Sequence, residues 1–284
     1  MPPPKTPAVA VIVMAHNEER RIDSCLASLP LERGDVKIHV VVNGSCDRTA
    51  AIARASAVTV HDWPQGGKAR SWNRIVHDTP GVVGETFVFV DGDGILLPGA
   101  IDALVGALAA HPRANAAAGM PANGRRVEAY RRGVAASCGL FGDLYALRGS
   151  FVAKLRARAI RLPEDLVGDD SLIGALAKTD LANEDDWQDT RVIPCAAAGF
   201  LCQPTTLSPA SLRNQYRRMI SYSVRHFQNR IVSGIMRGPG PVALPRRLAE
   251  LYPLELKGFE PRWNWQWWWF DRQALARMRA PRRS

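Results

Sequence analysis

Four short apolar runs in the first 90 residues each end in a polar turn and hand over to a helix-forming stretch. Residues 8–15 read as a buried strand, 37–42 as a second, VTVHDW at 58–63 as a short third and FVFV at 87–90 as a fourth. Between them, Ile22, Cys25, Leu26 and Leu29 recur at helical spacing before Pro30 stops the pattern. TAAIARASA follows the second strand, and QGGKARSWNRIVHDT runs from a Gly-rich loop into a helix. An Ala/Leu helix is expected from about Pro98 to Ala110. Strands that alternate with helices in this way predict an α/β fold, a mostly parallel sheet with helices on both faces.

In such a sheet, chemistry collects where strands end. FVFVDGDG, residues 87–94, is the clearest case. Its apolar half is the pattern of a strand buried on both faces, and it stops abruptly at Asp91 and Asp93. Two carboxylates one residue apart, with glycines that let the backbone turn, can hold a hard divalent cation through oxygen. A polar turn after a strand would look the same in isolation. His16 to Glu18 follow the first strand and Asn43 follows the second, so one sheet edge would gather all of them. Asn17 could equally serve as a helix cap, with Glu18 and Glu19 in the first turn.

Composition narrows the class. With 46% hydrophobic and 23% charged residues the chain is globular in character, and no apolar run reaches the 18 residues of a membrane span. Its five scattered cysteines contain no C-x-x-C pair, which argues against a disulfide framework or zinc site and fits a reducing cytoplasm. Positive charge is uneven. Residues 211–284 hold 15 Arg or Lys against four acids, whereas 1–210 hold 22 against 23. That excess points to an anionic partner for the last quarter: a membrane surface, a nucleic acid or a phosphorylated substrate. Nucleic acid is not expected, because it would leave the acidic turns of the first 170 residues without a purpose.

From about residue 115 the pattern changes. GLFGDLYALRGS mixes glycine with aromatics, and LPEDLVGDDSLIGALAK sets acids before a helix expected to begin near Ser171 or Leu172. NEDDWQD, 183–189, reads as a solvated loop. SLRNQYRRMISYSVRHFQNRIV reads as a helix with Leu212, Tyr216, Met219, Ile220 and Ser223 on one face and arginines on another. Five of the eight tryptophans fall at Trp263, Trp265, Trp267, Trp268 and Trp269. They suit either a packed helix or an interfacial anchor beside Arg277, Arg279, Arg282 and Arg283.

Taken in order, these segments resemble the family 2 glycosyltransferases of GT-A fold over about residues 8–225. VIVMAHNEERRIDSCLASL is similar to the opening strand, exit turn and helix, VVNGSCDRTAAIA to the second strand and turn, and GGKARSWNRI to the basic loop ending in Asn. FVFVDGDG matches the Asp-x-Asp motif, GLFGDLYALRGS the acceptor-side segment, GDDSLI the later acidic motif and QYRRM the Gln-x-x-Arg element of processive members. Departures stand at His16, Asn43 and Met219, where the family usually has an aromatic, Asp and Trp.

The resemblance implies an inverting, metal-dependent transferase that moves a sugar from a nucleotide-diphosphate sugar donor to a hydroxyl acceptor, lipid-linked or polysaccharide forms being open. It also implies roles. Asp93 is the principal Mn2+ or Mg2+ ligand, with Asp91 beside it toward metal or ribose. His16, Glu18 and Asn43 face the nucleotide, and Lys68 and Arg70 the diphosphate. Gln215 and Arg218 approach the diphosphate or acceptor. Asp170 is the general base, with Asp169 adjacent and Glu164 and Asp165 as runners-up. The expected division is a nucleotide-sugar half at 1–110, an acceptor half at 111–210 and a basic helical extension at 211–284. A cytoplasmic enzyme, peripheral on the inner membrane face, would fit. The alternatives are a sugar nucleotidyltransferase, expected to carry a Gly-rich, Arg-containing loop after its first strand where this chain has His16-Asn17-Glu18-Glu19, and a non-catalytic protein that binds an anionic membrane or nucleic-acid surface.

Overall fold

The computed structural model describes residues 8–124, 126–202 and 209–280. Its strands are β1 (Val9–Ala15), β2 (Val36–Asn43), β3 (Thr59–Trp63), β4 (Thr86–Asp91), β5 (Ile95–Leu96), β6 (Ala116–Pro121), β7 (Leu144–Arg148) and β8 (Val192–Leu201). They form one sheet in the order β3-β2-β1-β4-β7-β6-β8-β5. The first four are mutually parallel, β7 runs antiparallel between β4 and β6, β6 and β8 are parallel, and β5 pairs antiparallel at the far edge.

The helices are α1 (Ile22–Ala27), α2 (Thr49–Arg54), α3 (Lys68–Asn73), α4 (Ala100–Ala110), α5 (Val127–Ser137), α6 (Gly149–Ala157), α7 (Asp169–Lys178), α8 (Pro209–Arg237), α9 (Tyr252–Glu255) and α10 (Trp268–Arg279). The α/β expectation holds, as does a helical C-terminal region.

Alternation within each strand builds two cores. In β4, Phe87 and Phe89 enter one apolar cluster while Val88 and Val90 enter the other. β1 divides likewise, Ala10, Ile12 and Met14 facing one way and Val9, Val11 and Val13 the other. This is period-two geometry in a strand covered on both sides. On the Phe89 face, Tyr145 stacks at 4.9 Å between ring centroids and Trp72 at 5.8 Å. Trp72 Nε1 also donates to Tyr145 Oη at 3.0 Å, so both buried polar tips are satisfied. Val224, Phe227, Ile231, Tyr252, Leu275 and Met278 join this same cluster, so the C-terminal helices share the core of the sheet.

Some local expectations change. α7 begins at Asp169, earlier than Ser171, because Gly168 adopts φ 80° and turns the chain into the helix. Asn17 has φ 57° and lies five residues before α1, so it does not cap a helix. The 183–189 segment is only partly a solvated loop, since its Asp189 holds the buried Lys178 ammonium at 2.7 Å. The proposed apolar stripe of α8 is core only in part. Leu212 is 61% and Tyr216 43% exposed, and burial begins at Ser223 and Val224.

Candidate active site

β1, β2 and β4 are parallel neighbours, so their C-terminal ends share one edge of the sheet. At the end of β4 the chain folds back on β1. Gly92 N donates to Met14 O and Gly94 N to Asp91 O, both at 2.9 Å. A Cβ at residue 92 would stand 2.8 Å from that of Ala15, so this close approach requires glycine. The turn sends its two carboxylates to different partners. Asp91 Oδ1 lies 2.6 Å from Lys68 Nζ, and Asp93 Oδ2 lies 3.3 Å from Arg21 Nη1. Arg21 also reaches Glu18 Oε2 through Nε at 2.5 Å.

The acids of α7 approach from the other side. Asp169 is buried, 3.8 Å from Lys68 Nζ through Oδ1, and its Oδ2 has no hydrogen-bond partner among the described residues. Asp170 Oδ2 accepts from Arg225 Nη2 of α8 at 3.0 Å. Between the two groups stands Gly142, where a Cβ would lie 3.7 Å from both Lys68 Nζ and Asp170 Cγ. Lys68 and Asp170 therefore face each other across a residue with no side chain.

Acidic charge exceeds basic charge here. Burial, with Asp143 and Asp169 adding to it against the pull of Lys68, pushes Asp91 up to about 7. Burial and Asp93 raise Glu18 to about 7 against Arg21. Burial also raises Asp143, whose backbone oxygen accepts from Asp91 N at 3.1 Å. Cys202 Sγ donates to Asp143 Oδ2 at 3.3 Å, and burial and that carboxylate hold the thiol up at about 12. Lys68 is driven above its ordinary range because the attraction of Asp169 and Asp91 outweighs the burial that opposes its charge. Among the described residues no three His, Cys, Asp or Glu side chains enclose a metal position. The arrangement instead suits a hard cation held by one or two carboxylates and completed by a ligand's own oxygens. Asp93, with 41% of its side chain exposed, is open to such sharing.

The remaining sequence-predicted residues are distributed around this cluster and away from it. His16 is exposed and its Nδ1 lies 2.6 Å from Asn43 O. Asn43 itself is buried, and its Oδ1 accepts from Ser71 Oγ at 2.9 Å, which engages its acceptor in tying β2 to α3. Arg70 turns away from Asp91 and Asp93, donating to Glu164 at 3.1 Å and Gly66 O at 2.9 Å, so Lys68 alone of that pair enters the acidic cluster. Glu164 is further held by Arg246 at 2.8 Å. Asp165 caps backbone instead, accepting from Leu248 N and Ala249 N. Arg218 is exposed, yet its charge reaches Asp143 and Cys202. Gln215 is exposed on the same stretch of α8.

Sequence reasoning missed Arg21, Asp143, Cys202 and Arg225. Arg21 lies inside the HNEERR exit and Asp143 inside GLFGDLY, so each was within a noted segment without a distinguishing pattern. A cavity of about 820 Å3 lined by Tyr252, Leu256 and Met278 lies in the C-terminal region, and one of about 700 Å3 is lined by Arg70, Arg74, Arg161 and Glu164; Asp91, Asp93, Asp169 and Asp170 line neither.

The family model described as Glycosyl transferase family 2 matches residues 10–163. Protein RfbJ from Shigella flexneri is 32% identical over 85 residues, 30% of this chain and 64% of that protein, so the match spans under two thirds of the relative. The mannosyltransferase PcManGT from Pyrobaculum calidifontis, solved with GDP-Man and Mn2+, superposes with a TM-score of 0.61 at 21% identity, covering 95% of this chain and 74% of that one. Glucosyl-3-phosphoglycerate synthase from Mycobacterium tuberculosis, solved with Mn2+ and UDP-Glc, superposes with a TM-score of 0.56 at 23% identity, covering 81% and 78%. These structural likenesses establish a shared fold.

Proposed function

Because the chain belongs to glycosyl transferase family 2, we propose that it moves a sugar from a nucleotide-diphosphate sugar to a hydroxyl acceptor, with inversion and with Mn2+ or Mg2+. The observation that carries this reading is the meeting of Asp91, Asp93, Lys68 and Arg21 on one side of Gly142 with Asp170 on the other. The first group suits a diphosphate and the second suits an acceptor. Similar folds bind GDP-Man and Mn2+ in one case and UDP-Glc and Mn2+ in another, which supports the donor class and leaves the base open.

Asp93 and Asp91 would hold the cation, which supplies Lewis-acid stabilisation of charge on the leaving diphosphate. Lys68 then exchanges part of its attachment to Asp91 for a phosphate oxygen, and Arg21 does the same at Asp93. Asp170 takes the proton of the attacking hydroxyl. Arg225 grips Oδ2 and so orients the carboxylate, leaving Oδ1 outside the pair for the acceptor. Asp169 keeps Lys68 charged and in place. On this reading residues 1–110 form the donor half, 111–210 the acceptor half, and 211–284 the extension that delivers Arg225. The five free cysteines support a reducing compartment such as the cytoplasm.

The test is donor turnover with Mn2+ present, together with donor affinity. Asp93→Ala should lose turnover and metal-dependent donor binding. Asp170→Asn should keep donor binding and lose transfer. Unchanged turnover in Asp93→Ala would remove the metal assignment, and retained transfer in Asp170→Asn would remove the base.

A further inference from the structure

We propose that the loop at 263–267, the first turn of α10 and the first turns of α8 form a docking face for an anionic bilayer surface, presenting the acceptor side of the cleft to membrane-held hydroxyl acceptors. The second half of this statement rests on the transferase reading above; the first does not.

Trp263 and Trp265 are 96% and 94% exposed, which is nearly full exposure for the largest apolar side chains a protein has. A chance surface aromatic usually lies flat against its neighbours, and contiguous exposed apolar groups mark an interaction site. These two are carried on a built loop. Asp271, fully buried, accepts from Arg262 N at 2.9 Å, from Nε at 2.8 Å and from Nη2 at 2.7 Å, anchoring one end of the loop to α10. Asn264 closes the turn, its carbonyl accepting from Trp267 N and Trp268 N and its Oδ1 from Gln266 N. Arg262 stacks over Trp267 at 4.5 Å and Arg272 over Trp268 at 4.7 Å. The loop is thus fixed from below while its tip projects outward.

α8 supplies the rest of the face. Trp269 Nε1 in the first turn of α10 donates to Tyr216 Oη at 3.1 Å, joining the base of the loop to the exposed stretch that carries Leu212, Arg213, Tyr216 and Arg217. Charge identifies the partner. Across residues 209–237 and 261–280 the sole acid is Asp271, and it is buried and neutralised by Arg262. The exposed charge of both stretches is therefore entirely positive. Tryptophan beside arginine suits the headgroup level of an anionic leaflet, with the ring at the acyl boundary and the guanidinium on phosphate. Among the described residues no helix is long and apolar enough to cross a membrane, so this contact would be peripheral.

The face also has a fixed position relative to the candidate base. Arg225, which grips Asp170, lies nine residues after Tyr216 on the same helix, or about 14 Å along its axis. An acceptor anchored in the leaflet would need to extend its hydroxyl on the order of 14 Å from the headgroup level to meet that carboxylate. The anchor therefore differs from the sequence expectation. Arg279 of the tail donates to Leu256 O and Phe259 O within the C-terminal region, and Arg282 and Arg283 lie outside the described residues.

The test is co-sedimentation of the full chain with vesicles of neutral phosphatidylcholine, with and without 30% phosphatidylglycerol (about a third anionic lipid, enough for a strongly negative surface potential), alongside a DNA duplex and light scattering. Binding should require the anionic lipid and weaken with salt. Trp263→Ala with Trp265→Ala should weaken it about tenfold or more. Arg213→Ala with Arg217→Ala should weaken it about 30-fold, each basic side chain near an anionic leaflet being worth about 1 kcal/mol. None of these side chains is placed in the donor site, so metal-dependent donor binding should be unchanged in both variants. Equal binding to neutral and anionic vesicles, vesicle binding unaffected by the tryptophan pair, preference for the duplex, or a dimer lost on tryptophan removal without vesicle binding would each overturn the docking face. Loss of vesicle binding with donor binding intact would leave the transferase reading standing, and absent donor binding with normal vesicle binding would do the reverse.

Discussion

Lys68 joins Asp91 at 2.6 Å to Asp169 at 3.8 Å, so a single ammonium holds the donor side and the α7 acids at a set spacing. Replacing it with Met leaves the buried Asp169 and the half-buried Asp91 without the cation they share. Lys68→Met should weaken donor binding about 30- to 150-fold, the worth of one charged hydrogen bond at about 2–3 kcal/mol; unchanged affinity by calorimetry would exclude the role. Gly92→Ala should cost about 1–3 kcal/mol in urea unfolding, because its Cβ would meet Ala15 and the β1 backbone; an unchanged midpoint would contradict this. At this scale Asp91 and Asp93 were legible because an apolar strand that stops at two acids puts paired carboxylates at the sheet edge. Asp143 and Arg225 were not, because nothing local marks them. Asp143 matters only because β7 lies beside β4 and brings its backbone to Asp91, and Arg225 only because α8 crosses the start of α7. Asn43 was legible by position but not by role, since its bond to Ser71 depends on how α3 packs.

The elements were read well where burial and periodicity agree. The first four strands and α4 fall within a few residues of their expected spans because each ends at a polar or glycine turn. α8 shows what periodicity leaves out. It marks which residues share a face, but not how far the core extends along a 29-residue helix, and here the first turns run beyond it. The Trp-rich segment was ambiguous for the same reason, and its orientation is decided by Asp271. Asp271→Asn leaves the Arg262 guanidinium half-buried without its anion. It should destabilise the docking of α10 by about 3–5 kcal/mol, the usual cost of breaking a buried pair from one side. Hydrogen exchange should speed up over 262–279 first, whereas uniform exchange across the sheet would contradict this. Trp72→Phe should cost about 1–3 kcal/mol in thermal unfolding by leaving the Tyr145 hydroxyl buried and unpaired.

For the whole molecule, charge was legible and its use was not. Composition located the excess in the last quarter, but the fold commits Arg225, Arg262 and Arg279 to internal partners and exposes Arg213 and Arg217. Protonation of the interior gives an opposed pair of effects. Burial holds His39 and His77 at about 4, so their contribution is complete above pH 6.5 and is lost as pH falls toward 4, because the unfolded chain takes up protons first. Glu18 and Asp91, raised to about 7, act in the reverse sense and add stability as pH falls below 7. Stability of the intact protein should therefore change little between pH 7 and 5, while the difference between His39→Gln/His77→Gln and the intact protein should shift toward the variant as pH falls. A pH-independent Tm difference would contradict the assignment.

The most direct measurement is calorimetric titration of the full chain with UDP-, GDP-, CDP- and dTDP-sugars, each with Mn2+ and with EDTA. One donor class should bind with Mn2+ and lose most of its affinity in EDTA, and Asp93→Ala should behave in Mn2+ as the intact protein does in EDTA. Binding of no donor under either condition, or equal binding with and without metal, would contradict a metal-dependent nucleotide-sugar transferase built on Asp91 and Asp93.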